Sequence, residues 1–205
     1  MNVVDAEYIV LPTANMDSSM SVKQAISERR SVRAFKNEPL TMQELSQLLW
    51  SAQGITNKSK GLRAAPSAGA LYPCELYIVV GNVADLAAGV YKYVIGKHEL
   101  VKISDGDKRT ELASVSLSQM WIATAPATIV VVGIIERISR KYGKAHAPQY
   151  VHIEVGAIAE NVYLQGRVLG IGTTFVGAFD DNNLKRLLGA PADEEPFAVL
   201  PLGKI

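Results

Sequence analysis

The chain has 205 residues, of which 48% are hydrophobic and 20% charged, and its 21 basic and 20 acidic residues give a net charge of +1. This length fits one domain with a substantial core, and the balanced charge gives no electrostatic reason to expect nucleic acid or an anionic membrane as a partner. A single cysteine, Cys74, excludes a disulfide within the chain, and three scattered histidines offer no metal-ligand spacing.

The N-terminal residues 1–20 are irregular, and we predict that they form an arm ahead of a single domain over residues 21–205. Residues 1–8 contain acidic side chains and no cationic region followed by an apolar stretch, so they do not resemble a secretory signal. The longest apolar stretches, such as residues 125–135, reach about half the length that a membrane helix needs. We therefore expect a cytoplasmic protein without a membrane partner.

Two helical patterns open the domain. Ser21 can cap a short helix that runs to about Glu28. Thr41, followed three residues later by Glu44, has the form of a capping box, and the apolar spacing after it predicts a helix that ends near Gly54. Residues 54–73 are predicted to be a long loop, and their small apolar content argues for a functional loop rather than a disordered tether.

Strands and helices alternate irregularly in the rest of the chain. Runs rich in β-branched and aromatic residues predict strands, and residues 90–103 form a hairpin about a Gly96-Lys97 turn. The predicted strands are Leu76–Val80, Val90–Val94, Leu100–Ile103, Thr128–Ile135, Thr173–Val176 and Phe197–Leu202. The predicted helices are Asp107–Leu117, Tyr150–Leu169 and Asp181–Leu188. Because no regular βαβ alternation is present, the predicted fold class is α+β.

The segment Glu28–Phe35 is the most informative part of the sequence, because it contains Arg29, Arg30, Ser31 and Arg33. Guanidinium groups bind phosphate through paired, charge-assisted hydrogen bonds, and a serine hydroxyl adds a compact neutral contact. In an extended segment, residues 29, 31 and 33 would share one face. The alternative is a solvated basic turn, which is the usual meaning of a charge run.

Four segments resemble, in order, the FMN-dependent nitroreductase superfamily: Arg29–Arg33, Ala65–Pro73, Gly156–Leu164 and Gly170–Asp180. The form Pro-Ser-Ala-Gly-Ala-Leu-Tyr-Pro in the second segment is most similar to the branch of azoline-oxidising (thiazole- and oxazole-forming) dehydrogenases of peptide-modification clusters. The resemblance spans about residues 20–203. It implies a nitroreductase-like α+β fold, with a central antiparallel-rich sheet flanked by helices, and an intertwined homodimer with FMN at the subunit interface.

The resemblance also implies roles for individual residues. Arg29 and Ser31 match residues that hold the FMN phosphate and ribityl chain, and Arg33 matches a basic residue beside the pyrimidine edge of the flavin. The loop that begins at Pro66 matches one that reaches the flavin from the other subunit, and the backbone at Gly177 matches the donor to flavin N5. The residues assigned to FMN in this way are Arg29, Arg30, Ser31, Arg33, Pro66, Ser67, Ala68, Gly69, Phe175, Val176, Gly177, Ala178 and Lys204.

Two departures from the family pattern affect this assignment. Many members have a basic residue on the FMN phosphate in a C-terminal tail, a role for which Lys204 is the candidate here. Gly177 stands where many members carry an acidic residue, so the local tuning of the flavin is expected to differ.

The implied activity needs no catalytic side chain and no metal, because the flavin carries the chemistry. The resemblance implies an FMN-dependent oxidoreductase in which NAD(P)H reduces FMN, which then reduces a nitroaromatic, quinone or similar small molecule by a ping-pong cycle. One alternative is FMN-dependent oxidation of a substrate such as a peptide azoline without nicotinamide. Another is a non-catalytic protein that binds or stores flavin.

Other residues with chemical potential are better explained structurally. Gly170-Ile171-Gly172 follows a helix and precedes a strand, which is the wrong context for a dinucleotide-binding loop. His152 is interpreted as a packed or surface histidine, and Cys74 as a small buried residue. Asp180 is interpreted as a helix cap rather than as an acid–base group.

Overall fold

The computed structural model describes residues 7–205 and contains the following elements. The strands are β1 (Tyr8–Val10), β2 (Ile55–Asn57), β3 (Leu62–Arg63), β4 (Cys74–Val80), β5 (Gly89–Val94), β6 (Glu99–Asp105), β7 (Ala127–Gly133), β8 (Ile171–Thr173) and β9 (Glu195–Lys204). The helices are α1 (Val22–Glu28), α2 (Met42–Gln53), α3 (Arg109–Val115), α4 (Ile135–Tyr142), α5 (Ala147–Leu169) and α6 (Asp181–Leu188). None of these helices is long and apolar enough to cross a bilayer.

Seven strands form one antiparallel sheet in the order β1-β6-β5-β4-β7-β9-β8, and β2 pairs with β3 in a separate hairpin. Every residue of β7 is buried, as its β-branched sequence predicts for an interior strand. Helices α2 and α5 pack on one face of the sheet through residues such as Leu48 and Ile158, and α3 and α6 pack on the other through Leu112 and Leu184. The predicted α+β architecture is confirmed.

The predicted helix caps are present and explain where the helices begin. The Glu44 N–H donates to Thr41 Oγ1 at 3.2 Å, and the Thr41 N–H donates to Glu44 Oε2 at 2.9 Å, which completes the capping box of α2. Ser21 accepts the Gln24 N–H at 3.2 Å, so α1 also begins as predicted. Asp180 accepts the Asn183 N–H at 2.8 Å, which confirms its interpretation as the cap of α6.

Helix α5 packs on one face of the sheet and runs past both the arginine segment (residues 29–33) and the loop over residues 66–69. It begins at Ala147, three residues before the predicted start, and has a proline in its first turn. Val151, Val155 and Val162 are buried along it. It ends at Gly170, whose φ of 68° places it in the left-handed conformation that suits a glycine C-cap.

Four local predictions are corrected. Residues 54–73 are not a continuous loop, since they contain the β2–β3 hairpin and a 3-10 turn over Ala68–Ala70. Residues 8–10 of the expected arm pair with β6 as an edge strand, whereas residues 1–6 lie outside the described residues. The strand predicted over residues 173–176 is β8, shifted to residues 171–173, and Val176 makes only an isolated bridge to Val199.

The fourth correction concerns the strand predicted over residues 128–135. The strand ends at Gly133, and Ile135 begins α4, a helix that was not predicted. β-branched residues resume at Ile134 and Ile135 after Gly133, so the apolar pattern alone does not mark the boundary. The Ile134 N–H bonds to the Pro73 carbonyl at 2.9 Å, in register with the Cys74–Gly133 pair, but Pro73 has no N–H to return the bond, so the ladder ends there.

Candidate functional site

The arginine segment is extended and lies beside the start of β8. The Val32 N–H donates to the Thr173 carbonyl at 2.9 Å, and Thr174 Oγ1 donates to the Val32 carbonyl at 2.6 Å. Ser31 forms a parallel bridge with Thr173. The backbone is therefore paired with the edge of β8 at Ser31 and Val32, where successive side chains point to opposite sides.

Tyr163 of α5 lies at the centre of this segment. Its hydroxyl is 3.0 Å from Ser31 Oγ and accepts the Phe175 N–H at 2.8 Å. The Arg29 guanidinium lies 5.1 Å from the centroid of the Tyr163 ring, and its nearest carboxylate, on Glu160, is 4.0 Å away. The Arg29 side chain is 34% exposed. Its donors therefore remain largely available to a ligand.

The other two arginines differ in their surroundings. Arg30 donates to the carbonyls of Ser27 at 3.0 Å and of Arg29 at 2.6 Å, so its guanidinium folds back on its own backbone. Arg33 is exposed and lies 5.9 Å from the ring centroid of Trp121. A cation over an aromatic face keeps its edge donors free, so Arg33 can also bind a ligand.

A cavity of about 400 Å³ lies between the arm, α2 and α5, but the cavity beside the arginine segment is smaller, at about 230 Å³. The residues that line the smaller cavity include Arg29, Arg30, Val32, Tyr163, Arg167 and Thr173. Arg167 donates to Glu28 through Nε at 2.9 Å and Nη2 at 2.5 Å, and this bonding lowers the pKa of Glu28. Because Glu28 neutralises Arg167, the surplus positive charge at the cavity belongs to Arg29 and Arg30.

The segment 175–178 follows β8 and is fixed at both ends. Val176 exchanges two backbone hydrogen bonds of 2.9 Å with Val199, and the Ala178 carbonyl accepts from Gln119 Nε2 at 3.3 Å. Gly177 and Ala178 are exposed, and Phe175 is 42% exposed. This segment therefore offers accessible backbone next to the arginine segment, with which it shares Tyr163.

The loop over residues 66–69 lies elsewhere on the chain. Ser67 Oγ accepts the Tyr72 N–H at 2.9 Å, and the Tyr72 carbonyl accepts from Arg137 Nη1 at 2.9 Å. Glu154 of α5 faces Ser67. Glu154 and Tyr163 are nine residues apart, or about 13.5 Å along the helix axis. Within one described chain, the loop and the arginine segment are thus held near different parts of α5.

Two ionisable groups below this loop are buried. Gln53 Nε2 donates to Glu154 Oε1 at 3.2 Å, while Glu154 Oε2 has no hydrogen-bond partner among the described residues. Burial raises the pKa of Glu154, because it disfavours the charged carboxylate. Burial also raises the pKa of the Cys74 thiol, which agrees with its interpretation as a buried structural residue.

Lys204 is separated from the other residues assigned to the phosphate. Its ammonium is bonded to the Glu44 carboxylate in the first turn of α2. Among the described residues, no hydrogen bond or ion pair links the Lys204 side chain to the arginine segment. The assignment of Lys204 to the phosphate stays a prediction, and its ion pair with Glu44 would have to open for it.

Three residues of this site were not predicted from the sequence: Tyr163, Arg167 and Trp121. Tyr163 lies inside a family-like segment, and Arg167 follows it by four residues, so both lie on one side of α5. Two polar residues four positions apart, on a helix otherwise rich in small apolar residues, are a sequence signal that could have identified both as site residues. Trp121 has no comparable signal, because it lies in a short 3-10 turn over Met120–Thr124.

Gly172 gives a test of the packing that holds the arginine segment. A β-carbon at this position would lie 2.7 Å from Val32 Cβ and 2.6 Å from Ile205 Cγ2. We expect Gly172→Ala to lower the free energy of unfolding by about 1–3 kcal/mol through overpacking, measured by urea titration. The second change Val32→Ala should recover little of this loss, because alanine keeps the β-carbon at 2.7 Å and leaves the contact with Ile205.

Gly96→Ala is the matched control, because no atom lies within 4 Å of a β-carbon there. It should change the free energy of unfolding by less than about 0.5 kcal/mol. Equal stability of the Gly172 and Gly96 variants would contradict the close packing of Gly172 against Val32.

Known proteins match both the sequence and the fold. The model of the Nitroreductase family matches residues 26–204. A relative from Methanocaldococcus jannaschii, named as a nitroreductase, is 42% identical over 185 residues, which are 90% of this chain and 91% of that protein. The crystal structure of a nitroreductase homologue from Ralstonia eutropha has a TM-score of 0.84 at 28% identity, with coverage of 96% of this chain and 89% of that one.

A chain of the E. coli microcin synthetase McbBCD complex, solved with truncated pro-MccB17 bound, has the same fold. The TM-score is 0.73 at 20% identity, and the match covers 96% of this chain and 77% of that one. The family resemblance found in the sequence motifs is confirmed by the family match, by the M. jannaschii relative and by the shared architecture. The chain belongs to the nitroreductase family of oxidoreductases.

Proposed function

We propose that this protein is a cytoplasmic, FMN-dependent oxidoreductase that takes hydride from NAD(P)H and passes electrons to a nitroaromatic, quinone or similar acceptor in a ping-pong cycle. Residues 21–205 would form its single FMN-binding domain. A chain with one cysteine, which is buried, suits a reducing compartment. The single observation that carries the proposal is the extended arginine segment at the mouth of a cavity.

The residues of this segment fit the phosphate end of FMN. Arg29 has donors that no close carboxylate occupies, Ser31 adds a hydroxyl, and the surplus charge at the cavity of about 230 Å³ is positive. Guanidinium and hydroxyl donors are the groups that bind phosphate oxygens best. Arg30 would contribute charge from the rim, because its guanidinium is bonded to its own backbone.

The remaining assigned residues would hold the flavin ring. When bound, FMN supplies reversible hydride and electron transfer, which the protein side chains do not provide. Arg33, held over Trp121, would place positive charge where the reduced ring carries negative charge. The exposed backbone at Gly177 and Ala178 would donate hydrogen bonds to the ring, and Phe175 would shield its edge.

A homodimer would complete the site. The Pro66–Gly69 loop and the arginine segment are held apart within one chain, so the loop would reach the flavin of the partner subunit. Large apolar side chains are exposed on the helices that would meet the partner: Val22 and Ile26 on α1, and Ile153, which is 61% exposed, on α5. Light scattering on the purified protein should therefore give about twice the chain mass of 22.1 kDa.

A visible absorption spectrum tests the function. The purified protein is incubated with FMN, freed of excess cofactor, and treated anaerobically with NADH or NADPH. We expect the protein to retain flavin bands that bleach with a nicotinamide and return when a quinone or nitroaromatic is added. A protein that retains no flavin would contradict the proposal at its first step.

A second candidate function is FMN-dependent oxidation of a peptide azoline without nicotinamide. The observation that favours it is the fold shared with the microcin synthetase chain over 96% of this chain, together with the Pro66–Pro73 sequence. This activity would be favoured if the protein retains flavin that an azoline-containing peptide bleaches and that nicotinamides do not bleach. Flavin that only a chemical reductant bleaches would favour a flavin-storage role.

A further inference from the structure

The C-terminal end of α4 meets the 66–69 loop at Gly69. A β-carbon built on Gly69 would lie 2.7 Å from Lys141 Nζ and 2.9 Å from Tyr142 Oη. Gly69 has a φ of 61°, a backbone conformation that favours glycine. An ammonium and a phenol hydroxyl thus converge on one exposed point of the loop.

The donors at this point have no other partner in the described part of the chain. Neither Lys141 Nζ nor Tyr142 Oη makes a hydrogen bond or an ion pair there, although the ammonium lies 5.6 Å from the Tyr142 ring. The N–H groups of Ala68 and Gly69, at the start of the 3-10 turn, also bond to no described residue. The Tyr142 ring packs against the Tyr150 ring, with 4.6 Å between centroids and an angle of 39° between the planes.

Helix α4 and the loop behave as one unit because Arg137 joins them. Arg137 Nη1 donates to the Tyr72 carbonyl at 2.9 Å and lies 2.6 Å from the Glu75 carboxylate. Lys141 follows Arg137 by one turn of α4, so the two cations lie on the same side of the helix. Glu75 compensates the charge of Arg137. No carboxylate of the described residues pairs with Lys141, so its positive charge beside the loop is uncompensated.

We propose that Lys141, Tyr142 and the N–H groups of Ala68 and Gly69 form a second phosphate site, which binds the 2′-phosphate of NADPH. A phosphate monoester has three free oxygens and close to two negative charges, whereas each phosphate of a pyrophosphate diester has two free oxygens and one charge. An ammonium, a phenol hydroxyl and two unpaired N–H groups at the Gly69 turn offer enough donors for the monoester, and successive free N–H groups in a tight turn are a known anion-binding arrangement.

This inference rests on the proposed function, since the 66–69 loop must lie at a flavin for the nicotinamide to reach that ring. A competing explanation is that basic residues in the last turn of α4 interact with the helix dipole. The dipole accounts for cations at Arg140 and Lys141 in general. It does not account for the position of the Tyr142 hydroxyl beside the Lys141 ammonium at the Gly69 turn.

The test uses the FMN-loaded protein and its variants Lys141→Gln and Tyr142→Phe, with Lys144→Gln as the matched control. Lys144 is an exposed lysine three residues away in the sequence, beyond the end of α4. Calorimetry with adenosine 2′,5′-bisphosphate measures phosphate binding without turnover, and stopped-flow reduction gives the KM and kcat for NADPH and NADH. Bound FMN is quantified for every variant.

We expect NADPH to be preferred over NADH, and Lys141→Gln to raise the bisphosphate Kd and the NADPH KM about tenfold, the effect of one charge-assisted bond. Its kcat, NADH KM and FMN content should stay as in the parent protein. Tyr142→Phe should raise the NADPH KM less, and Lys144→Gln should change it by less than about twofold.

If Lys141→Gln and Lys144→Gln raise the bisphosphate Kd equally, the proposed site is wrong, because the phosphate then responds to the general positive charge rather than to a specific contact with Lys141. An unchanged bisphosphate Kd in Lys141→Gln would overturn it as well. If nicotinamides fail to reduce the flavin while bisphosphate binding still depends on Lys141, the proposed function fails and the phosphate site stands. If NADPH reduces the flavin regardless of Lys141, the function stands and the site fails.

Discussion

Replacing Arg29 by alanine is expected to leave the purified protein with little bound FMN. Among the three arginines that line the cavity, Arg30 bonds to backbone carbonyls and Arg167 is paired with Glu28, so Arg29 is the one with the most available guanidinium donors. Loss of its charge-assisted bonds to phosphate should raise the FMN Kd about 10- to 100-fold. The measurement is the ratio of flavin to protein absorbance after gel filtration, followed by titration with FMN.

Arg186→Ala is the matched control for this experiment. Arg186 is an exposed arginine of α6 that bonds to Asn183 on its own helix, far in the sequence from the arginine segment. This variant should retain as much FMN as the parent protein. Unfolding curves for both variants separate a loss of cofactor from a loss of fold. A folded Arg29→Ala protein with full flavin content would show that Arg29 is not a phosphate ligand.

Glu194→Ala is expected to give the largest loss of stability. Glu194 is buried, with 4% of its side chain exposed, and it accepts a hydrogen bond from the Tyr77 hydroxyl at 2.8 Å. It is also ion-paired with Lys92, whose side chain is 24% exposed. Removal of the carboxylate leaves a largely buried ammonium and hydroxyl without their partner. We expect the free energy of unfolding to fall by about 3 kcal/mol, measured by urea titration.

The neighbouring residue supplies the control. Glu195 forms an ion pair with Lys185 at 2.9 Å, but 48% of its side chain is exposed. Glu195→Ala should therefore cost less than about 1 kcal/mol. The two variants remove the same charge from adjacent positions and differ mainly in burial. Similar losses in both would show that water reaches the Lys92–Glu194 pair.

Local signals in the sequence were enough to predict most elements of the fold. Thr41, Glu44 and Asp180 are cap residues whose bonds lie within four residues, so the sequence carries the whole motif. The end of β7 could not be predicted, because it depends on Pro73, which is sixty-one residues away from Ile134. When a backbone group far away in the sequence sets the end of a strand, the residues near that end show no pattern that marks it.

The candidate site could be predicted only in part, because some of its contacts join residues that are distant in the sequence. The arginine segment is contiguous, and its extended conformation follows from its own sequence. The contact between Ser31 and Tyr163 joins residues 132 positions apart, so only the fold reveals it. The prediction that the Pro66 loop belongs to the same site needs a second copy of the chain, and it rests on the family resemblance.

The position of β9 has a consequence for how the molecule is made. β9 is the last strand along the chain, yet it lies between β7 and β8 and is bonded to both. Until it is synthesised, β8 has no neighbour in the sheet, and the arginine segment has no fixed edge to lie against. Such long-range pairing slows folding and delays closure of the sheet until β9 has been synthesised. Under the proposed function, FMN binding would therefore follow closure of the sheet.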